Sequence, residues 1–459
     1  MPNLFANLVF FSWPLVVLWI LRRNTNVNAI FIAITCAVMF LPAEFAFDLP
    51  LMPPLDRVTI TSLSLLVFLY ARRKKMSAFP PGMPTKILIG YFIAVTISVE
   101  MNTDALFIGG AFLPGLTHYD IVSSVIRLFL AMMPFFLGRQ FLNDVKDNEG
   151  IFKILVVLGL IYTLPMLIEI RLSPQFHYWV YGYSTGNFFQ MMRGDGYRPM
   201  VFIGHGLGLA FWFSTCIIAA FALQKNKVRF TKVSTSKIVV YMIVVLFLCK
   251  TWSAVAYAAI AIFAIARMAP DKQVRWSLLL ATLILIYPIT KTAGVFPDRE
   301  IVSTIKQYSE DRAQSLEFRF QNEDILLKHA LERPYFGWNG WGRNRVYDQY
   351  GKDISITDGK WIIEFGYYGA VGFFFYYALF LIILYYALKN INNIEDPKDK
   401  VYFASLALIL AIGLIDSVPN TGMLSMHVFL AGALLGQAEA LKKQKYLRDK
   451  NTDAKPRFR

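Results

Sequence analysis

Long apolar runs separated by short polar segments constrain the fold of this chain more than any other feature. The runs are about 14 to 25 residues long, and a helix of about 20 apolar residues crosses the hydrocarbon core of a bilayer. Hydrophobic residues make up 56% of the 459 residues, and charged residues only 17%. This balance excludes a soluble multidomain protein. We therefore predict an all-α polytopic membrane protein.

The apolar runs predict about 12 to 13 transmembrane helices. The predicted spans are 4–21, 27–45, 57–71, 86–102, 121–141, 151–170, 200–223, 238–250, 252–267, 276–292, 361–388, 401–418 and 423–441. They divide the chain into four parts. These are a transmembrane bundle at 1–292 with an outer loop at 171–199, a large outer loop at 293–360, C-terminal transmembrane helices at 361–441 and a basic tail at 442–459.

Basic residues cluster in alternate connections between the spans. The clusters lie at 22–23, 72–75 and 225–237 and in the tail at 442–459. Such a bias places these segments in the cytoplasm and the large loops outside. These clusters account for the net charge of +15. We therefore expect membrane lipids, and not nucleic acid, as partners of the basic segments.

The cysteines and the first span exclude several other classes of protein. All three cysteines lie in apolar runs, where a cysteine acts as a small hydrophobic residue, so we expect no disulfide and no metal site. No phosphate-binding loop of the Walker type occurs, which argues against ATP-driven transport and a nucleotide cofactor. The first apolar run precedes its basic pair, so we expect a retained span and not a cleaved signal peptide.

The loop at 293–360 is unusually long for a connection and carries an ordered set of polar residues. Apolar residues at 316, 320, 327 and 331 have helical spacing, and Ser315 is a suitable N-cap. Pro334 would end this helix. We predict a short amphipathic helix that lies on the outer face of the membrane that the chain spans. Arg319 would then lie in its first turn, where the helix dipole favours a phosphate group.

The loop at 171–199 supplies further candidate cations, Arg193 and Arg198. Pro199 predicts the start of the next helix, which places Arg198 at the membrane boundary. Arg198 is either an interfacial anchor or a second arginine for an anion such as a diphosphate. Lys250, between two apolar runs, is either a turn residue or a third cation.

Several further polar residues have both a structural and a functional interpretation. Asp358, where the large loop re-enters the membrane, is either a helix N-cap or a general base, and Glu364 lies one turn beyond the residues that follow it, Gly359-Lys360-Trp361. His205 is either a packed polar residue within its span or a substrate contact. The other candidates are aromatic. Trp338, Trp341 and Trp361 fit an interfacial belt or sugar-stacking surfaces.

These residues resemble the O-antigen ligase and Wzy-type polysaccharide polymerase family of bacterial membrane proteins. The resemblance lies in the ordered set of motifs and in the layout of the spans. The motifs are Ser315-x3-Arg319, the run Ala330-Leu-Glu-Arg-Pro-Tyr-Phe-Gly-Trp-Asn-Gly-Trp-Gly-Arg343, the run Asp358-Gly-Lys-Trp-Ile-Ile-Glu-Phe-Gly-Tyr-Tyr-Gly-Ala-Val-Gly372, and Arg198-Pro199 before Gly204-His205-Gly206.

The resemblance implies a metal-independent, inverting glycosyltransferase of the bacterial inner membrane, with its active site facing the periplasm. Its substrates would be a glycan donor and an acceptor carried on undecaprenyl diphosphate. A chain-length regulator or export copolymerase would be a further partner. Arg198 and Arg319 would hold the diphosphate, with Lys250 where relatives often have arginine. The other residues expected to bind substrate are Arg193, His205, Arg343, Trp338, Trp341, Trp361 and Glu364.

One departure bears on the choice of reaction. Lipopolysaccharide ligases of this family carry a His-Asn pair at the loop's re-entry, whereas this chain has Asp358 followed by Gly359. That end is similar to exopolysaccharide polymerases, and by analogy Asp358 would activate the acceptor. We therefore predict a polymerase of exopolysaccharide or O-antigen repeat units. The alternatives are a ligase that transfers glycan to lipid A core and, from another class, a transporter of lipid-linked sugar.

Overall fold

Helices dominate the part of the chain that the computed structural model describes, which comprises residues 2–48, 53–74, 77–108, 110–186, 188–193, 196–229 and 232–453. The α-helices in chain order are α1 Leu4–Arg23, α2 Asn26–Phe40, α3 Arg57–Ala71, α4 Met83–Glu100, α5 His118–Ala131, α6 Met133–Phe141, α7 Asn148–Leu172, α8 Phe176–Tyr181, α9 Gly206–Lys225, α10 Thr235–Leu248, α11 Trp252–Arg267, α12 Pro270–Leu283, α13 Ile286–Thr292, α14 Asp298–Lys306, α15 Glu310–Ala330, α16 Lys360–Asn390, α17 Pro397–Asp416 and α18 Ser425–Asp453. Two short antiparallel hairpins pair β1 Leu106–Ile108 with β2 Ala111–Leu113, and β3 Met192–Arg193 with β4 Gly196–Tyr197.

Among the described residues, six helical segments are each long and apolar enough to cross a membrane. They are Leu4–Arg23, Met83–Glu100, Val145–Leu172, Gly206–Lys225, Pro270–Thr292 and Lys360–Asn393. Helices α5 and α6 form a seventh if they are counted as one span, bent by 40° at the break between them. The chain is therefore a helical polytopic membrane protein, as the sequence predicts.

Each of the predicted spans falls on a helix or on a pair of consecutive helices. The count of 12 to 13 stays a prediction. Helices α2, α3, α10 and α11 have only 14 to 16 residues, and α17 and α18 are not among the segments long and apolar enough to cross a membrane. About 20 residues are needed to span the hydrocarbon core without thinning it or relying on neighbouring helices. Part of the predicted basic tail, residues 454–459, lies outside the described residues. The sidedness of the loops also stays a prediction.

Helix α9 forms the centre of the bundle. Most of its side chains are buried, and it packs against α7, α10, α11 and α17. A helix that is apolar on all sides needs such an enclosed position. Its N-terminal end is the exception, because it opens towards the two large loops. The centre of the bundle thereby fixes one wall of the candidate site.

The large loop contains two helices, α14 and α15, followed by irregular chain from 331 to 359. The predicted helix around Ser315 is present, but its N-cap residue is Ser309, six residues before the predicted cap, and the helix begins at Glu310. Arg319 therefore lies near the middle of α15. The prediction that the helix dipole favours a phosphate group at Arg319 is wrong, because the dipole acts only within the first turn.

The glycine and tryptophan run of the large loop docks onto a break in α16. Gly369 has φ +62°, and a Cβ there would lie 2.5 Å from the backbone nitrogen of Phe336. Four backbone hydrogen bonds of 2.7 to 3.1 Å join residues 334–339 to residues 366–371. Such a close approach requires glycine at 369. Much of the motif thus holds the loop to the membrane bundle.

Candidate active site

A cavity of about 590 Å³ lies where distant parts of the chain meet outside the N-terminal end of α9. Its walls come from the loop before α9, one face of α15, the segment before α16 and the turn between α17 and α18. The three residues predicted to be catalytic, Arg198, Arg319 and Asp358, all line this cavity. So do Arg193 and His205.

The guanidinium of Arg198 is almost completely buried in the cavity wall. The residue is 7% exposed, and its Nε has no hydrogen-bond partner among the described residues. Burial, and then the positive charges of Arg193 and Arg319, lower the pKa of Arg198 to about 10, so it stays protonated at neutral pH. A desolvated cation with an unpaired donor is costly unless an anion compensates it.

The loop that carries Arg198 is held by Glu169 of α7. The Glu169 carboxylate accepts hydrogen bonds of 2.8 Å from the backbone N–H groups of residues 200 and 201. These bonds stabilise a turn between Arg198 and the helix. The predicted helix start at Pro199 is therefore wrong, and α9 begins at Gly206.

His205 caps α9 and does not lie within a span. Its Nδ1 accepts a hydrogen bond of 3.2 Å from the backbone N–H of Leu207, which leaves the proton of a neutral ring on Nε2. Desolvation, followed by the positive charge of Arg198, lowers the pKa of His205, while Asp358 opposes this shift. We therefore expect a neutral imidazole at pH 7, which can donate one hydrogen bond into the cavity.

Gly206 provides the space in which the stem of Arg198 packs. A Cβ at position 206 would lie 2.5 Å from Arg198 Cγ and 3.1 Å from the carbonyl oxygen of Pro199. We expect Gly206→Ala to displace the guanidinium. If undecaprenyl diphosphate is the ligand, as the sequence predicts, its binding should weaken at least roughly tenfold, because a bidentate charged contact is lost. Binding is measured with the purified protein in nanodiscs.

The matched control for this variant is Gly208→Ala, two residues further along the same helix; Gly208 also lines the cavity, but a Cβ there does not approach Arg198. A Cβ there would meet only a side-chain carbon of Ile203 at 3.7 Å, an ordinary van der Waals distance. We expect it to bind the predicted ligand as the unchanged protein does. Equal losses in both variants would show that the effect comes from the helix and not from Arg198.

Arg319 reaches the cavity from the middle of α15 and faces the residue predicted to be the general base. Its Nε lies 3.9 Å from Asp358 Oδ2, and the two side chains are 30% and 43% exposed. The pair is therefore loose and hydrated, and such pairs contribute at most about 1 kcal/mol to stability. Both groups can exchange this contact for contacts with a ligand.

Asp358 does not cap α16. The N-cap residue is Gly359, and no side-chain capping hydrogen bond is made at this helix start. The backbone N–H of Lys360 instead donates to the carbonyl oxygens of Ser417 and Asn420, at 2.9 and 2.8 Å. This link fixes the re-entering segment against the turn between α17 and α18. It leaves the Asp358 carboxylate facing the cavity.

Arg193 and Lys250 lie beside each other at the rim. Arg193 is exposed on β3 and lines the cavity. Lys250, in the turn between α10 and α11, donates from Nζ to the backbone carbonyl of Arg193 at 2.8 Å. Lys250 itself is not part of the cavity wall. Its hydrogen bond instead holds the β3–β4 hairpin that carries Arg193.

Three residues predicted to bind substrate lie away from the cavity, in the part of the large loop that docks onto the bundle. Arg343 is fully buried, pairs with Asp104 at 3.2 Å and donates to two backbone carbonyls. The Trp338 indole stacks on the ring of His329 and donates to its carbonyl oxygen. Trp341 is 59% exposed outside the cavity. These positions indicate a structural role for Arg343 and Trp338.

Two more residues that were predicted to bind substrate, Trp361 and Glu364, are buried in the first turns of α16. Trp361 donates to Glu323 of α15 at 3.2 Å. Glu364 pairs with Lys360 at 2.5 Å and accepts a hydrogen bond of 2.6 Å from the hydroxyl of Tyr91. Neither of the two residues lines the cavity. Both instead hold the N-terminal end of α16, next to Asp358.

The cavity also contains charged residues that were not predicted from the sequence. Arg57 donates to the backbone carbonyls of residues 38, 202 and 203, so its guanidinium is already hydrogen-bonded within the protein. Asp416 accepts hydrogen bonds from Asn420 and Tyr257. A carboxylate inside an apolar run is a functional candidate by itself, so Asp416 could have been found from the sequence. Glu44 also lines the cavity, on backbone with φ +56°, but nothing in its local sequence marked it as a functional candidate.

Guanidinium and carboxylate groups therefore set the charge of this cavity. The ionisable side chains that line it, besides His205, are Arg57, Arg193, Arg198, Arg319, Glu44, Asp358 and Asp416. Within the described residues, no group of three or more histidine, cysteine, aspartate or glutamate side chains is arranged to hold a metal ion. The cavity suits an anion at Arg193, Arg198 and Arg319, which form its arginine side, and hydroxyl groups at its carboxylates.

No protein-family model matches this sequence, and no characterised protein matches it either. The resemblance to O-antigen ligases and Wzy-type polymerases therefore rests on the residues themselves. A helical membrane fold alone does not define activity.

Proposed function

We propose that this protein is a glycosyltransferase that polymerises oligosaccharide repeat units carried on undecaprenyl diphosphate. The supporting observation is that Arg198, Arg319 and Asp358, which are far apart in the sequence, line one cavity next to the membrane bundle. The polymer would be an exopolysaccharide or O-antigen. The reaction would take place at the periplasmic face of the bacterial inner membrane.

The arginine side of the cavity binds the diphosphate of the donor. Arg198 is buried with an unpartnered Nε, and Arg319 makes only a loose contact with Asp358. Two arginines match the charge of a diphosphate and can each bind it in bidentate fashion. Arg193 at the rim adds a third positive charge. Because these cations stabilise the leaving group, the mechanism needs no metal ion.

Asp358 acts on the acceptor in the same cavity. The carboxylate takes the proton of an acceptor sugar hydroxyl as the hydroxyl oxygen attacks the anomeric carbon of the donor. The new glycosidic bond forms while the bond from the anomeric carbon to the phosphate oxygen breaks. The electron pair leaves with the diphosphate, where Arg198 and Arg319 stabilise it. Attack opposite to the leaving group inverts the anomeric centre.

The choice of a polymerase over a ligase rests on Asp358, which stands where ligases of the similar family carry a His-Asn pair. The acceptor of a polymerase is another lipid-linked repeat unit, so donor and acceptor share one chemistry. A chain-length regulator or export copolymerase would act with such an enzyme.

The carrier-linked intermediates of a deletion strain test this choice. We expect single repeat units to accumulate on undecaprenyl diphosphate when the gene is removed, because they can no longer be joined. The intermediates are extracted and sized by mass spectrometry. Long glycan chains on the carrier would instead identify a ligase and contradict the polymerase assignment.

A further inference from the structure

A second cavity lies on the opposite face of α15. It has a volume of about 830 Å³ and is enclosed by α14, α15 and the segment that follows α13. Residues 315, 318 and 319 of α15 face the first cavity, and residues 317, 320, 321 and 324 face the second. At 100° per residue these two sets lie on opposite sides of the helix. Helix α15 is therefore a partition, about 10 Å thick, between two cavities.

The charge of the second cavity is nearly balanced, unlike the arginine side of the first. Three basic and four acidic side chains line it, and they are Lys291, Arg299, Lys306, Asp298, Glu300, Glu317 and Asp324. A balanced set of donors and acceptors has no preference for a strongly charged ligand. It suits a ligand that is uncharged and rich in hydroxyl groups.

The carboxylates at the base of this cavity already have a cation. The buried ammonium of Lys291 pairs with Asp298 and, at 2.8 Å, with Asp324. It also lies 4.9 Å from the centre of the Phe320 ring. This internal cation offsets part of the negative charge of the two carboxylates.

One acceptor in this cluster remains available. Within the described residues, Asp298 Oδ1 is buried and has no hydrogen-bond partner. A buried acceptor of this kind needs a donor, and a ligand hydroxyl can supply one, whereas a phosphate oxygen cannot. The side chains of Gln321 and Ser303 add neutral donors and acceptors to the same wall.

We propose that this second cavity binds uncharged sugar residues of the lipid-linked glycan. This inference rests on the proposed function, because it assumes that the diphosphate end of the same glycan lies in the first cavity. An oligosaccharide that passes around α15 would contact both cavities. The second cavity would thereby hold the chain while its reducing end reacts.

Filling the cavity tests the proposal. Gln321→Trp places an indole in the second cavity from an exposed position on α15 that makes no ion pair. The probe is the oligosaccharide released by mild acid from the lipid-linked repeat units of the deletion strain, titrated calorimetrically into the full-length protein in nanodiscs. We expect binding to weaken roughly tenfold, the equivalent of one or two lost hydrogen bonds.

The matched control is Gln314→Trp, an exposed glutamine on the same face of α15, two turns away and outside both cavities. We expect it to bind the oligosaccharide as the unchanged protein does. No binding of the oligosaccharide to the unchanged protein, or equal binding by the Gln321→Trp variant, would overturn the proposal.

A second probe separates this proposal from the proposed function. Undecaprenyl diphosphate, which carries no sugar, should bind the Gln321→Trp variant normally. Failure of the unchanged protein to bind this lipid would contradict the function proposed for the first cavity. Normal lipid binding together with absent oligosaccharide binding would contradict only the assignment of the second cavity.

Discussion

Arg319→Ala is expected to abolish detectable polymer, with a loss of at least roughly 10² to 10³ in turnover. The guanidinium faces the cavity and would stabilise the charge that develops on the leaving diphosphate. Its removal should leave the fold intact, since its 3.9 Å contact with Asp358 is partly exposed. Turnover is measured with purified protein and lipid-linked repeat units, and thermal stability is measured in the same preparation.

Arg319→Lys should restore part of this activity. Lysine keeps the positive charge but loses the planar, bidentate contact with phosphate. The matched control is Arg312→Ala on the same helix, because Arg312 stacks over Trp252 and does not line the cavity. Full activity of the Arg319→Ala variant, or an equal loss in the Arg312→Ala variant, would refute a direct role of Arg319.

Asp358→Asn is expected to reduce turnover by roughly 10² to 10⁴ while binding of undecaprenyl diphosphate is retained. The amide has the shape of the carboxylate but cannot take a proton from the acceptor. Binding should persist because Arg198 and Arg319 remain in place. The two quantities are measured by product formation and by lipid titration on the same preparation.

Two further variants separate chemistry from structure at Asp358. Glu310→Gln removes an exposed carboxylate from the start of α15, where it makes only a 3.7 Å contact with Lys306, and should be fully active. The charge-swapped pair Arg319→Asp with Asp358→Arg retains an ion pair but reverses both groups. We expect it to stay inactive, whereas recovery of activity would show that the pair serves stability alone.

The helices could be predicted from the sequence because apolar runs are a local signal. The start of α15 could not, since residues 310–314 carry no apolar period and Ser315 offered a plausible but incorrect cap. Polar residues with good helix propensity extended the helix to Glu310. Local propensity thus decided the boundary where hydrophobic periodicity gave no signal.

The candidate site was predicted in part. The sequence placed Arg198, Arg319 and Asp358 in one site, and the structure brings all three to one cavity. It did not indicate that Arg343 is buried against Asp104, or that the loop docks onto Gly369, because these contacts join segments that are distant in the sequence. Such tertiary contacts cannot be derived from local pattern alone.

Reconstituted turnover tests the central claim most directly. Purified protein in nanodiscs is supplied with the lipid-linked repeat units extracted from the deletion strain, without ATP or an ion gradient. We predict that glycans of two or more repeat units form and that one undecaprenyl diphosphate is released for each new bond. Unchanged donor in this assay, with the lipid-linked sugar only moved across the membrane in sealed vesicles, would identify a transporter and contradict the proposed polymerase.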